Sequence, residues 1–281
     1  MNYRHIYHAG NFAEVLKHTV LIALLQALQK KDKGFCYIDT HAGAGLYDLK
    51  SVEAQKTQES VLGIQQLLKQ NHFPTLVEDY LKIIKSINAA PATTIRHYPG
   101  SPYFARQLLR PQDQMILCEL HPPVFDSLKQ LFRNDKQVAV HQQDGYQALK
   151  AFLPPPQRRG VVLIDPPFEQ TKEFDTAVAA IKSALTRWET GIYALWYPIK
   201  EKYFRTYVRQ QLTKLNAKEI LIAELSIFPD DVPVALNGCG MAIINPPYQL
   251  DEALKPLLPW LWQALSPEGL GGCWCQLMVP S

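Results

Sequence analysis

Long apolar runs are missing from this 281-residue chain; its hydrophobic stretches are strand-sized, so no membrane span is expected. The opening segment MNYRHIYHAGNF carries Arg4, His5 and His8 where a secretory signal would carry an apolar core, so a cytosolic protein is expected. Cysteine is scarce, with five residues, an odd number, scattered at Cys36, Cys118, Cys239, Cys273 and Cys275. That scatter does not look like a disulfide framework and agrees with a reducing compartment. Cys273 and Cys275 have no second Cys or His pair near them, so no metal site is expected. Internal repeats and low-complexity tracts are also missing. Net charge is low, at +3 with a pI near 8.5. This permits a nucleic-acid partner without requiring one, because phosphate binding needs local Lys and Arg rather than a very basic total.

What is present is a 47% hydrophobic chain, long enough to bury a large core. Asn11 followed by Glu14 reads as a helix N-terminus, and Leu21, Leu24, Leu25 and Leu28 continue it at helical spacing. The run FCYID (35–39) then enters the glycine-rich THAGAG, the pattern of a buried parallel strand feeding a tight turn. Residues 48–95 carry helical spacing on both sides of Pro74 and are expected to form an inserted helical subdomain within one domain over 1–281. Six more strand-like runs follow, MILCEL, VAVHQQDG, GVVLIDPPF, GIYALWYP, EILIAELSIF and GMAIINPPY, the first three separated by helix-like stretches. The expectation is an α/β, Rossmann-like fold with a seven-stranded, mostly parallel sheet and right-handed crossovers.

In such a sheet a ligand binds at the carboxyl ends of the strands, and here those ends are polar. Gly43 and Gly45 let the backbone approach a cofactor closely. Glu119 ends the second run, where a carboxylate can accept hydrogen bonds from ribose hydroxyls. Asp144 and Gly145 end the third, where a carboxylate and a backbone N–H can read an adenine, although a DG turn alone has the same letters.

The fourth run ends in Asp165-Pro166-Pro167-Phe168. An exocyclic amine on a base is a poor nucleophile because its lone pair is delocalised into the ring. The Asp165 carboxylate and the Pro166 carbonyl can draw its two N–H bonds towards tetrahedral geometry, while Phe168 stacks on a base turned out of its helix. The implied reaction is methyl transfer from S-adenosylmethionine to such an amine, without a metal. A second tetrapeptide, Asn245-Pro246-Pro247-Tyr248, follows the seventh run and is expected to be a structural strand exit. For RNA contact the candidates are Arg4, Lys17, the cluster Lys30, Lys31 and Lys33, Arg158 with Arg159, and KEKYFRTYVR over 200–209; a solvated helix face is the alternative for each.

The blocks YRHIYHAGNFAEVLKHTV, YIDTHAGAG, YPGSP, ELHP, DPPF, TGIYALWYPI and the late NPPY together make the chain resemble the bacterial ribosomal RNA large subunit methyltransferase J family over nearly its whole length. The resemblance implies N6-methylation of one adenine, position 2030, in 23S rRNA; a cytoplasmic monomer is expected. It implies cofactor contacts for His18, His41, Ser101, Glu119, Asp144, Gly145 and Asp165, and it puts Tyr3 at the substrate adenine. Residue type and position alone make His18 a partly buried helix histidine and His41 a loop histidine. Phe168 departs from the tyrosine common in the family, which keeps the stacking face and removes a hydroxyl. The same DPPF chemistry also serves DNA adenine N6 or RNA guanine N2, and a catalytically silent binding module is the remaining rival.

Overall fold

Strand after strand in this chain alternates between two apolar faces, and that alternation builds the sheet. In the computed structural model, residues 4–88, 95–170, 172–201, 203–230, 232 and 236–280 are described. The strands are β1 (Cys36–Asp39), β2 (Leu46–Asp48), β3 (His97–Pro99), β4 (Gln114–Cys118), β5 (Val138–His141), β6 (Gly160–Ile164), β7 (Ile192–Ile199), β8 (Ile220–Ser226), β9 (Gly238–Ile244) and β10 (Gly272–Met278). The helices are α1 (Phe12–Gln29), α2 (Val52–Thr57), α3 (Ile64–Leu67), α4 (Thr75–Ser86), α5 (Ser101–Leu108), α6 (Pro122–Leu131), α7 (Gly145–Phe152), α8 (Glu173–Arg187), α9 (Phe204–Leu212) and α10 (Leu250–Leu265).

The main sheet runs β10-β8-β9-β7-β6-β1-β4-β5, and β2 pairs with β3 apart from it. Strands β5, β4, β1, β6 and β7 are parallel; β9, paired antiparallel to β7 and β8, reverses the direction, and β10 closes the edge antiparallel to β8. Tyr37, Val161 and Leu163 face one apolar layer, built with α1, α4, α5 and α10, while Ile38, Val162 and Ile164 face the other, built with α7, α8 and α9. Two-sided burial explains why these strands read as continuous apolar runs. The chain leaves β1 towards β4 on one side and lies beside β6 on the other, so the carboxyl ends of β1 and β6 form a topological switch point, where a crevice opens.

The α/β fold and its largely parallel sheet agree with the sequence, but the strand count is eight rather than seven. The extra strand, β10, is half-exposed and begins beside Gly271 and Gly272, so its alternation is weak. Cys273 and Cys275 lie two apart on it and pack against the core. Helix α1 begins where Asn11 and Glu14 predicted, with Asn11 Oδ1 accepting the Glu14 N–H at 2.9 Å. By length and hydropathy α1 could cross a membrane, yet 83% of it is buried within this fold, which makes it a core helix. The predicted helical region contains α2, a 3-10 turn at Glu59–Leu62, α3 and α4. Gly63 docks it onto the start of α1: a Cβ there would lie 2.1 Å from the Gly10 carbonyl oxygen.

Candidate active site

The turn after β6 is held in an unusual conformation. Pro166 and Pro167 stiffen it, and Phe168 adopts φ +50°, a left-handed backbone that a bulky residue rarely enters without compensation. Asp165, at its start, accepts a hydrogen bond from Lys17 Nζ, and the same ammonium pairs with Glu14 one helical turn earlier. Lys17 is 2% exposed. Burial alone would lower its pKa, but the carboxylates of Asp165 and Glu14 hold it well above the ordinary lysine value. Glu14 is likewise driven well below the carboxylate range: burial opposes ionisation, and Lys17, His5 and His18 outweigh it. His5 Nε2 lies 3.0 Å from Glu14 Oε2.

Two cavities meet at this corner. One, of about 370 Å³, is lined by His41, Gly43, Glu119, Asp144 and Gly145 together with Asp165 and Pro167. The other, of about 350 Å³, is walled by Phe168, Trp196, Pro198 and Phe228, with Lys17 and the Asp165-Pro166-Pro167 corner on one side and Glu59 and Leu62 on another. The first cavity fits an adenosyl cofactor. Gly43 (φ +63°) gives its N–H to Glu119 Oε2 at 3.0 Å, His121 N–H binds Glu119 Oε1 at 2.8 Å, and each carboxylate oxygen keeps capacity to accept a hydroxyl. At Gly145 a Cβ would lie 2.1 Å from the Thr40 carbonyl oxygen, so only glycine lets the β1 and β5 loops close together. Asp144 caps α7 through Gln147 N–H at 2.9 Å. Burial lowers the His41 pKa to about 4 against the pull of Asp165 and Asp144, so its ring is neutral, and it packs edge-on to Tyr146.

His18 and Ser101 are not brought to either cavity. Lys17 faces Asp165; one residue on, a rotation of about 100° turns His18 towards α5. There its Nδ1 bonds the Tyr98 hydroxyl at 3.0 Å and its ring lies 4.6 Å from Phe104. Burial lowers its pKa to about 3, so it is a neutral core histidine that lines neither cavity. Ser101 instead donates to Asp39 Oδ2 at 2.7 Å beneath the β1 loop, beside Tyr37 at 2.6 Å. Tyr3 lies outside the described residues. Asn245 sits at the end of β9, which runs against β7, and therefore at the opposite end of the sheet from Asp165. Its side chain donates to the carbonyls of Glu189 and Gly191, and it serves as a strand exit.

The basic segments separate in the same way. Lys17 is not a surface cation. Lys30, Lys31 and Lys33 precede β1 and Arg158 and Arg159 precede β6, at the amino end of the sheet, and Arg159 donates to the carbonyls of Leu28 and Lys33. Reading the sequence missed Glu14 and His5 at the corner; the spacing of Glu14 and Lys17, i and i+3 on α1, was the available signal.

Comparison with known proteins adds an independent finding. The family described as ribosomal RNA large subunit methyltransferase D, RlmJ, matches residues 32–279. The chain belongs to this family. It is 42% identical to ribosomal RNA large subunit methyltransferase J of Escherichia coli (strain K12), over 100% of this chain and 99% of the relative. It is also 42% identical to the protein of the same name from Haemophilus influenzae, with the same coverage. A solved structure from Legionella pneumophila, 38% identical, superposes with a TM-score of 0.86 over 98% of this chain and 99% of that one. The methyltransferase family resemblance seen in the motifs therefore extends along the entire chain.

Proposed function

We propose that this chain methylates the exocyclic N6 of a single adenine in 23S rRNA, the one at position 2030, using S-adenosylmethionine. The observation that carries the reading is the junction of the two cavities at Asp165-Pro166-Pro167, with Lys17 fixing the Asp165 carboxylate from behind. The cofactor supplies an electrophilic methyl group on a sulfonium. Glu119 would hold its ribose and Asp144 with Gly145 its adenine, while His41 and Gly43 close the wall.

The target base would enter the second cavity between Phe168, Trp196 and Phe228. Lys17 occupies Asp165 Oδ2, which leaves Oδ1 to accept one amine hydrogen; the Pro166 carbonyl accepts the other. These acceptors localise the nitrogen lone pair and point it across the junction. In the transfer the new C–N bond would replace the methyl C–S bond, leaving the neutral thioether S-adenosylhomocysteine, and positive charge would develop on nitrogen. The net negative charge of Glu14, Lys17 and Asp165 taken together stabilises that charge in a site shielded from water. The proton then leaves along the hydrogen bond to Asp165. Alignment of this kind is worth roughly 7–11 kcal/mol of barrier. An rRNA substrate supports a cytoplasmic location. The region 48–95 would act as an inserted subdomain that walls the base cavity through Glu59 and Leu62.

The test is to incubate the protein with labelled S-adenosylmethionine and unmodified 23S rRNA and to map the label. One N6-methyladenine is expected, and Asp165→Ala should lower kcat by about 100- to 1000-fold in a folded protein. Label on a guanine, or on DNA alone, would sink the reading.

A further inference from the structure

The described residues of the segment KEKYFRTYVR divide into an inward and an outward set of side chains. Inward, Arg205 Nε reaches the buried Glu224 at 3.2 Å and Arg205 Nη2 reaches Ser226 at 2.6 Å; its guanidinium also pairs with Asp230 and lies 4.2 Å from the Trp274 ring centre. Arg209 Nη2 meets the same Glu224 at 3.2 Å. Phe204 packs among Phe174, Tyr197 and Tyr207. These contacts use both arginines as structural cations and pin the start of α9 to the sheet.

Outward, the set is small. Lys200 is exposed and lines the base cavity. Tyr203 lies three residues on, at the N-cap of α9, and is 80% exposed. Across the mouth, Leu62 is 49% exposed and lines the same cavity. Of the other basic candidates, Arg4 lines the cofactor cavity and pairs with Glu53, while Lys30, Lys31, Lys33, Arg158 and Arg159 lie at the far end of the sheet and Lys17 faces inward.

An adenine swung into the base cavity leaves its neighbour in the strand with an uncovered ring face. An exposed aromatic three residues from a cavity-lining cation can offer that face a stacking partner and the phosphate next to it a counter-charge. We propose that Lys200 and Tyr203 form a subsite for the RNA strand: Tyr203 stacks on a base flanking the flipped adenine, and Lys200 neutralises a phosphate of the same stretch. This rests on the reading of the base cavity above and extends it to the flanking nucleotides.

The experiment measures methylation of transcribed 23S rRNA by wild type, Tyr203→Ala, Tyr203→Phe, Lys200→Ala and Tyr248→Ala, with S-adenosylmethionine binding measured separately. Tyr203→Ala should raise KM for the RNA by roughly 5- to 100-fold, leaving kcat at saturating RNA and the cofactor Kd unchanged. Tyr203→Phe keeps the ring and should behave as wild type. Lys200→Ala should flatten the dependence of log KM on log salt by about 0.7. Tyr248, 85% exposed but at the opposite end of the sheet, should be indifferent to replacement. A KM for Tyr203→Ala within twofold of wild type would overturn the proposal. So would a Tyr203→Phe variant as impaired as the alanine, or loss of cofactor binding in Tyr203→Ala. Failure of the wild type itself to label 23S rRNA would instead remove the functional reading on which the subsite rests.

Discussion

Asp39 is wholly buried beneath the cofactor cavity, and burial pushes its pKa up to about 6 although the hydroxyls of Tyr37 and Ser101 favour the anion. A carboxyl whose folded pKa is raised prefers its proton in the native state. Its contribution to stability is therefore complete below the unfolded value near 4 and is lost as pH rises through about 6. The urea midpoint of wild type should carry this downward component between pH 4 and 7, and Asp39→Asn should lack it; equal slopes in the two proteins would refute the assignment. Lys17 presents the opposite case. A lone ammonium in its position would lose its charge on burial, and only two carboxylates within reach keep it a cation. Removing either carboxylate leaves the other in a simpler pair, whereas removing Lys17 leaves two like charges facing each other.

Helix α1 is the element on which the site depends. Its cap residue does two things: Asn11 Oδ1 satisfies the Glu14 N–H, and Asn11 Nδ2 donates to Glu59 of the helical region at 2.8 Å. Asn11→Ala should cost about 1 kcal/mol for the cap by chemical denaturation. Because Glu59 walls the base cavity and not the cofactor cavity, the variant should raise KM for RNA while the cofactor Kd stays put. An equal loss at both sites would show that α1 had shifted as a whole.

Much at this scale was legible in the sequence, for definite reasons. Asp165, Glu119 and Asp144 each end a strongly apolar run, and an open sheet gathers such ends at one edge. Glu14 was legible only as a capping signal, because its spacing from Asn11 matches a capping box; in the fold its side chain turns to Lys17 and His5. Lys17 read as a surface cation, an RNA contact or part of a solvated helix face, because nothing in a helical period says which face meets the loop of a strand some 150 residues away. His18 illustrates the converse. Residue type alone made it a partly buried helix histidine, and in the fold it is fully buried against Tyr98 and Phe104.

At the scale of the whole molecule, the N-terminal helix, the sheet and the helical region all contribute walls to the paired cavities, so ligand binding and global stability are linked. At a cofactor concentration of 100 Kd the expected gain is about 2.7 kcal/mol, or a rise in Tm of about 5–10 °C. Glu119→Ala removes the acceptor that bridges the Gly43 and His121 loops and should abolish that rise; an undiminished shift would place the ribose elsewhere.

The shared corner also shapes turnover. The linings of the two chambers share His5, Asp165 and Pro167, so it is past this corner that the transferred carbon has to cross.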